Sequence, residues 1–236
     1  IQTPLVRKNG GLKASTWEEA MDAVSEKLKN SKGKKAGVVS TRLSLEALNA
    51  FTQISESLGI NKVGSTEEGL ATAAVKALLE KTKKPFESKI EEIKDADCYF
   101  LMGEDLTKDH QVISFFVKRA LPTGARLIQV SESETGFEHF ADYSLKVDSK
   151  QTADFVSAVK GLIENGSDAE VKKAASKFGL DSIMLSDVLE ALEASEKTAV
   201  IIGTRNVFND SYASLEAGVS LADKINARLI TTKGNI

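Results

Sequence analysis

The chain has 236 residues, 42% hydrophobic and 28% charged, with 31 Lys and Arg against 34 Asp and Glu and a formal net charge of −3. That apolar content belongs to a globular chain, no run approaches the about 18 apolar residues of a membrane span, and the near-balanced charge gives no electrostatic footprint for nucleic acid. One cysteine, Cys98, and two separated histidines cannot build an internal disulfide, a structural zinc site or an iron–sulfur cluster, so if the protein is a redox protein its centres lie elsewhere. The length fits one large or two small domains.

Taken in order, Ser15-Thr16-Trp17-Glu18 fits a capping box, and Trp17, Ala20, Met21, Val24 and Leu28 then share one helical face. Lys32-Gly33-Lys34-Lys35 reads as a solvated turn and residues 36–40 as a short buried strand. Ser44 caps a helix that carries Leu45, Leu48, Phe51 and Leu58 inward and ends at Gly59. A small strand follows at 62–64, then a helix over 68–81 that stops near Pro85.

Residues 98–102 form a continuous apolar run ending in Gly103, the pattern of a parallel strand covered on both faces. A helix over 110–121, broken by Pro122-Thr123-Gly124, leads to strands at 125–130 and 143–147. Helices at 152–164, 169–177 and 182–193, a strand at 198–203, a helix at 212–224 and a strand at 227–231 complete the chain. Strands alternating with helices predict an α/β fold of doubly wound, mainly parallel, Rossmann-like type. No sequence repeat or low-complexity tract occurs.

In such folds sites lie beyond the carboxyl ends of strands. Three strand ends stand out: Ser40-Thr41-Arg42-Leu43-Ser44, Gly103-Glu104-Asp105-Leu106-Thr107 and Gly203-Thr204-Arg205-Asn206. A glycine there lets backbone approach a phosphate, or simply permits a tight turn. No Walker loop and no G-x-G-x-x-G occurs, and Glu104 and Asp105 place two acids where a phosphate needs neutral or basic groups. These acids can accept from a hydroxyl or a guanine edge, or cap the next helix. Arg42 and Arg205 can clamp an anion or form surface salt bridges. His110 reads as a capping or packing residue, His139 as packing and Cys98 as an inert core thiol. No G-x-S-x-G elbow is present.

Several stretches together resemble the molybdopterin-guanine-dinucleotide oxidoreductases, such as formate dehydrogenases and nitrate reductases, and the related G chain of NADH dehydrogenase, respiratory complex I. They are Thr3-Pro4-Leu5-Val6-Arg7, Gly11-Leu12-Lys13, Ser15-Thr16-Trp17-Glu18-Glu19-Ala20, Ser40 to Ser44, Asp95-Ala96-Asp97 through Gly103, Thr107 and His110, Gly124 to Ile128, Ala141-Asp142-Tyr143, and Val200-Ile201-Ile202-Gly203. The resemblance spans essentially the whole chain in order. It implies Ser40, Arg42, Gly103, Glu104, Asp105, His110 and Gly203 as vestigial cofactor-binding positions, and no catalytic or metal-ligating residue.

The departures from the family pattern are equally informative. Catalytic members carry a molybdenum ligand shortly after the stretch that reads Asn61-Lys62-Val63 here, yet residues 64–70 hold no cysteine and only Ser65 could serve. The family's Asp-Pro-Arg is Ser131-Glu132-Ser133, and its Pro-Gly-Thr-Asp turn is Ser149-Lys150-Gln151-Thr152. Losing two carboxylates and a guanidinium from a dinucleotide site costs on the order of several kcal/mol. No cofactor is therefore expected in this segment, neither molybdopterin guanine dinucleotide nor a metal. Iron–sulfur clusters are expected in a parent chain.

These readings combine into an expectation. Residues 1–66 with 196–236 form a first, discontinuous α/β domain, and 67–195 form a second inserted into it. The ends, without an initiator Met and just past a strand, are those of a segment of a longer chain. That segment resembles the cofactor-free part of an NADH dehydrogenase G-chain-type subunit, a scaffold and interface in an electron-transfer complex. The alternatives are a segment of a true molybdenum oxidoreductase such as formate dehydrogenase, and a stand-alone nucleotide-binding or assembly module. Expected partners are other subunits of a redox complex, with no nucleic acid and no membrane span. The expected location is cytoplasmic, peripheral to a membrane through the complex.

Overall fold

The computed structural model describes residues 2–40, 42–65, 88–103, 105–108, 110–203 and 212–232. They fall into two units, Ile1–Glu67 and Glu68–Gly234. The helix expected over 68–81 lies outside the described residues.

The first unit opens with an antiparallel hairpin, β1 (Leu5–Lys8) and β2 (Gly11–Ala14). Its turn is Asn9-Gly10, with φ of 53° and 81°. Two successive positive φ angles are what a type I′ hairpin turn requires, and Asn-Gly supplies them at least strain.

Helix α1 (Trp17–Asn30) is capped by Thr16, whose Oγ1 accepts from the Glu19 amide at 3.2 Å. The cap expected at Ser15 moves one residue along because the Ser15 amide donates to the Pro4 carbonyl at 3.0 Å, tying Ser15 to the hairpin. The apolar face read for this helix is largely uncovered: Trp17 is 75% exposed, and no residue of α1 is buried.

Strands β3 (Gly37–Val39) and β4 (Val63–Ser65) pair in parallel, joined by α2 (Leu45–Ser57). Ser44 caps α2 as expected, its Oγ accepting from the Ala47 amide at 3.3 Å. Phe51 lies directly on Gly37, where a Cβ would stand 2.8 Å from the ring Cζ. Leu45, expected inward, sits in the first turn and is exposed.

The second unit is built on a five-stranded, wholly parallel sheet of β5 (Cys98–Met102), β6 (Arg126–Ser131), β7 (Tyr143–Lys146), β8 (Thr198–Ile202) and β9 (Arg228–Thr231). Their spatial order is β7-β6-β5-β8-β9. All five residues of β5 and of β8 are buried, so neither strand shows a polar face.

The helices of this unit are α3 (Gln111–Ala120), α4 (Thr152–Asn165), α5 (Asp168–Phe178), α6 (Ser182–Ala194) and α7 (Ala213–Lys224). Period-two alternation splits the core in two. On one face Phe100, Met102, Ile128 and Val200 meet Phe155, Leu185 and Leu221 of α4, α6 and α7. On the other Tyr99, Leu101, Leu127 and Ile201 meet Ile113 and Val117 of α3 together with Phe137.

Strand pairing corrects the expected grouping of 196–236 with 1–66. β8 pairs with β5 from Cys98↔Thr198 to Met102↔Ile202, and β9 pairs with β8. Asp97 fixes this register at the amino edge, accepting from the Ser195 hydroxyl and from the Glu196 and Lys197 amides, the latter two at 3.0 and 3.1 Å. Burial draws the Asp97 carboxyl upward, but these donors outweigh it and hold the group below the usual carboxylate range.

Cys98 lies inside β5, and burial pushes its thiol up to about 12. A thiolate is the reactive species. Cys98 is therefore expected to resist a disulfide reagent at mildly alkaline pH in the folded chain and to react fully on unfolding. Thiol titration with and without denaturant checks this, and rapid labelling of the native chain would contradict it.

Candidate functional site at the carboxyl edge of the sheet

The chain runs outward from β5 to β6 and β7, then returns to β8 and β9 on the other side of β5. The topological switch therefore lies between β5 and β8, where an open parallel sheet leaves a crevice. Residues just past the strands extend the ladder there. The Gly103 amide donates to Val130 O at 3.0 Å, the Gly203 amide to Met102 O at 2.7 Å and the Thr232 amide to Ile202 O at 2.9 Å. Gly103 turns with φ of +71°, a conformation glycine adopts without strain.

Two residues beyond Gly103 stands Asp105, 7% exposed and the one buried charged side chain among the described residues. Its Oδ1 accepts from Thr107 Oγ1 at 2.6 Å and from the Thr107 amide at 3.2 Å. Its Oδ2 accepts from the Gly136 amide at 3.2 Å and faces Lys108 Nζ at 3.0 Å. Burial alone would raise the Asp105 carboxyl. The donors from Thr107, Lys108 and Gly136 prevail and bring it down to about 2. The carboxylate stays ionised, and its lone pairs face donors of its own chain. It clasps the loop after β5 to the loop after β6.

The second loop is shaped for that contact. A Cβ on Gly136 would run into the Thr107 side chain, standing 2.9 Å from Cγ2 and 3.0 Å from Cβ. Phe137 is fully buried beside it, with Lys118 Nζ of α3 at 5.3 Å from its ring centroid and 4.9 Å from that of Phe140. At the end of β6, Ser131 Oγ donates to the Ser133 carbonyl at 2.9 Å. Gln129 is fully buried and its amide nitrogen donates to Ser131 Oγ at 3.3 Å and to Thr135 Oγ1, while its Oε1 has no partner.

Four of the positions singled out from sequence, Gly103, Asp105, His110 and Gly203, thus stand at one edge of one sheet. His110 immediately precedes α3, and its carbonyl accepts the Ser114 amide at 3.0 Å. Glu104 and Arg205 lie outside the described residues. Ser40 and Arg42 belong to the first unit, where Ser40 Oγ accepts from the Arg42 amide at 3.2 Å and Arg42 is exposed. Sequence reasoning passed over Gln129, Thr135 and Gly136. Gln129 carried a signal, a lone polar residue within an apolar run; Gly136 carried none, since its partner is 31 positions away.

With this geometry in hand, likeness to known proteins becomes informative. A family model described as molybdopterin oxidoreductase matches residues 1–233. The alpha subunit of F420-dependent formate dehydrogenase 1 of Methanococcus maripaludis is 29% identical over 150 residues, 62% of this chain and 22% of that protein. The second G-type subunit of the NADH-quinone oxidoreductase of Rhizobium meliloti is 28% identical over 124 residues, 51% of this chain and 14% of that protein. Acetylene hydratase from Pelobacter acetylenicus superposes with a TM-score of 0.66 at 18% identity, covering 96% of this chain and 35% of that one. The chain spans less than a third of the length of the curated relatives it matches. A match that runs from the hairpin through the last strand of the parallel sheet means that the chain belongs to the molybdopterin oxidoreductase family.

Proposed function

We propose that this chain is a cofactor-free, molybdopterin-oxidoreductase-like segment of a G-chain-type NADH dehydrogenase subunit. In this reading its five-stranded unit is a doubly wound, Rossmann-like frame that serves as scaffold and interface in an electron-transfer complex. The iron–sulfur clusters that carry the electrons belong to other parts of the parent protein, and the partners are further subunits of the complex. The residues Ser40, Arg42, Gly103, Glu104, Asp105, His110 and Gly203 are then remnants of a dinucleotide site.

One observation carries the reading. Asp105, the buried acid at the carboxyl edge, has both carboxylate oxygens engaged by donors of its own chain and so offers a dinucleotide no free acceptor. Beside it the family's Asp-Pro-Arg is replaced by Ser131-Glu132-Ser133, and the Ser131 hydroxyl is turned to the Ser133 carbonyl. These residues do not fit a guanosine and its phosphates, which call for carboxylate acceptors and a guanidinium.

A second reading, a segment of a true molybdenum oxidoreductase of the formate dehydrogenase type, is favoured by the likeness to formate dehydrogenase alpha subunits. The buried, unpartnered Oε1 of Gln129 also favours it, as an acceptor available to a ligand. Elemental analysis and pterin fluorescence separate the two. The chain is produced in a host that makes the molybdenum cofactor, then purified. The first reading expects molybdenum far below stoichiometric and no pterin emission. Stoichiometric molybdenum with pterin would replace it with the second.

A further inference from the structure

A cavity of about 360 Å³ opens at the amino edge of β3 and β4 in the first unit. It lies between the turn before β3 and the turn before β4, and is lined by Gly33, Lys34, Lys35, Leu58, Asn61 and Lys62, with Gly59 completing the wall. That volume is in the range of small-ligand sites. No acid contributes to its lining.

The lysines are uncommitted. The side chains of Lys34, Lys35 and Lys62 make no hydrogen bond or ion pair with the described residues. Some lysines elsewhere do pair with carboxylates, as in Lys8–Glu19 at 3.1 Å, Lys146–Glu138 at 2.7 Å and Lys224–Glu164 at 3.3 Å. A lysine near a helix C-terminus ordinarily serves the free carbonyls there. Three of those of α2 are already taken: Ile54 O by the Leu58 amide and Ser57 Oγ, Ser55 O by the Ile60 amide, and Glu56 O by the Gly59 amide. Gly59 makes that closure possible with φ of +63°. Three lysines and no acid in the lining give the cavity a positive wall, which a multiply charged anion complements.

We propose that this cavity binds a small oligophosphate through Lys34, Lys35 and Lys62, with the Asn61 amide as a neutral donor. The same phosphate chain can come free or as the tail of a nucleotide. The site stands at the amino ends of its strands and is independent of the positions discussed above.

Calorimetric titration of the 236-residue chain with tripolyphosphate, and separately with ATP, tests this. The expected result is saturable binding tighter than ~1 mM. It should weaken as ionic strength rises from ~0.1 to ~1 M, because the screening length contracts from ~10 to ~3 Å. The triple variant Lys34→Gln, Lys35→Gln, Lys62→Gln should lose affinity tenfold or more, and the triple change to Arg should retain it. Circular dichroism checks that both variants keep the fold. Equal affinities for the two probes assign the site to the phosphate chain alone, and tighter, lysine-dependent binding of ATP assigns it to a nucleotide tail. Binding weaker than ~1 mM, or unchanged in the Gln variant, overturns the proposal.

Discussion

Asp105→Ala is expected to lower the stability of the chain by about 2–3 kcal/mol near neutral pH and to flatten the acid limb of its stability curve. In the folded chain the carboxyl titrates at about 2. In an unfolded chain an Asp titrates near ~3.9, and each pKa unit of difference corresponds to ~1.4 kcal/mol. The folded value is the lower one, so the stabilisation is fully present above the unfolded value. It is lost as pH falls through the window from ~5 to ~2. The variant removes this dependence and leaves the Gly136 amide and the Thr107 hydroxyl without their acceptor.

Gly136→Ala should act on the same clasp from the other side, because the new methyl group displaces Thr107. The two substitutions together should cost less than the sum of their separate costs, as they break one network. Denaturant titrations across a pH series measure both effects. An Asp105→Ala chain that kept the wild-type acid limb, or strictly additive losses, would mean that Asp105 does not join the two loops. The result also bears on function. If the clasp stabilises the fold to this extent, recruiting the Asp105 carboxylate as an acceptor for a nucleotide would forfeit that energy.

The parts of the fold that could be read from sequence are those where one local signal decides. The run Cys98–Met102 is apolar throughout and Thr198–Ile202 is apolar after its first residue, and both read as strands buried on both faces. Ser44 was the one good cap before its helix. Where two signals competed, tertiary contacts chose. Ser15 with Glu18 and Thr16 with Glu19 both fit a cap followed three positions later by Glu, and the hydrogen bond from the Ser15 amide to Pro4 decided for the second.

The β1–β2 hairpin was legible and overlooked, since Asn9-Gly10 between short strands is a turn signal in its own right. The partner of β8 was not legible. A strand apolar on both faces has no alternation to mark its neighbour, so nothing local said that it pairs with β5 rather than with β3. The same holds for the site. Glycines and acids at strand ends could be placed at a carboxyl edge. That Asp105 would be spent on Gly136, far along the chain, depended on how the loop after β6 folds back.

Gly218 carries the other large effect, and it acts through the packing that sets the crevice. It lies in α7, the next described helix after β8 in the chain, and α7 rests on β5 and β8 at that point. A Cβ there would stand 2.6 Å from Ile202 Cδ1 and 2.9 Å from Met102 Sδ. Both neighbours are almost wholly buried, at 1% and 0% exposure, so neither has room to withdraw. An alanine gains ~1 kcal/mol of helix propensity over glycine, whereas overpacking a tight core costs about 1–3 kcal/mol. Gly218→Ala should therefore destabilise modestly, and Gly218→Val by about 3 kcal/mol, since its branch must also displace Met102. Ile202→Val removes the Cδ1 atom that the new methyl group meets first. Combined with Gly218→Ala it should restore most of the lost stability, although Ile202→Val alone costs about 1 kcal/mol. Thermal and denaturant unfolding of the two single variants and the double variant measure the coupling. A double variant less stable than either single one would place the strain somewhere other than the contact between α7 and the end of β8.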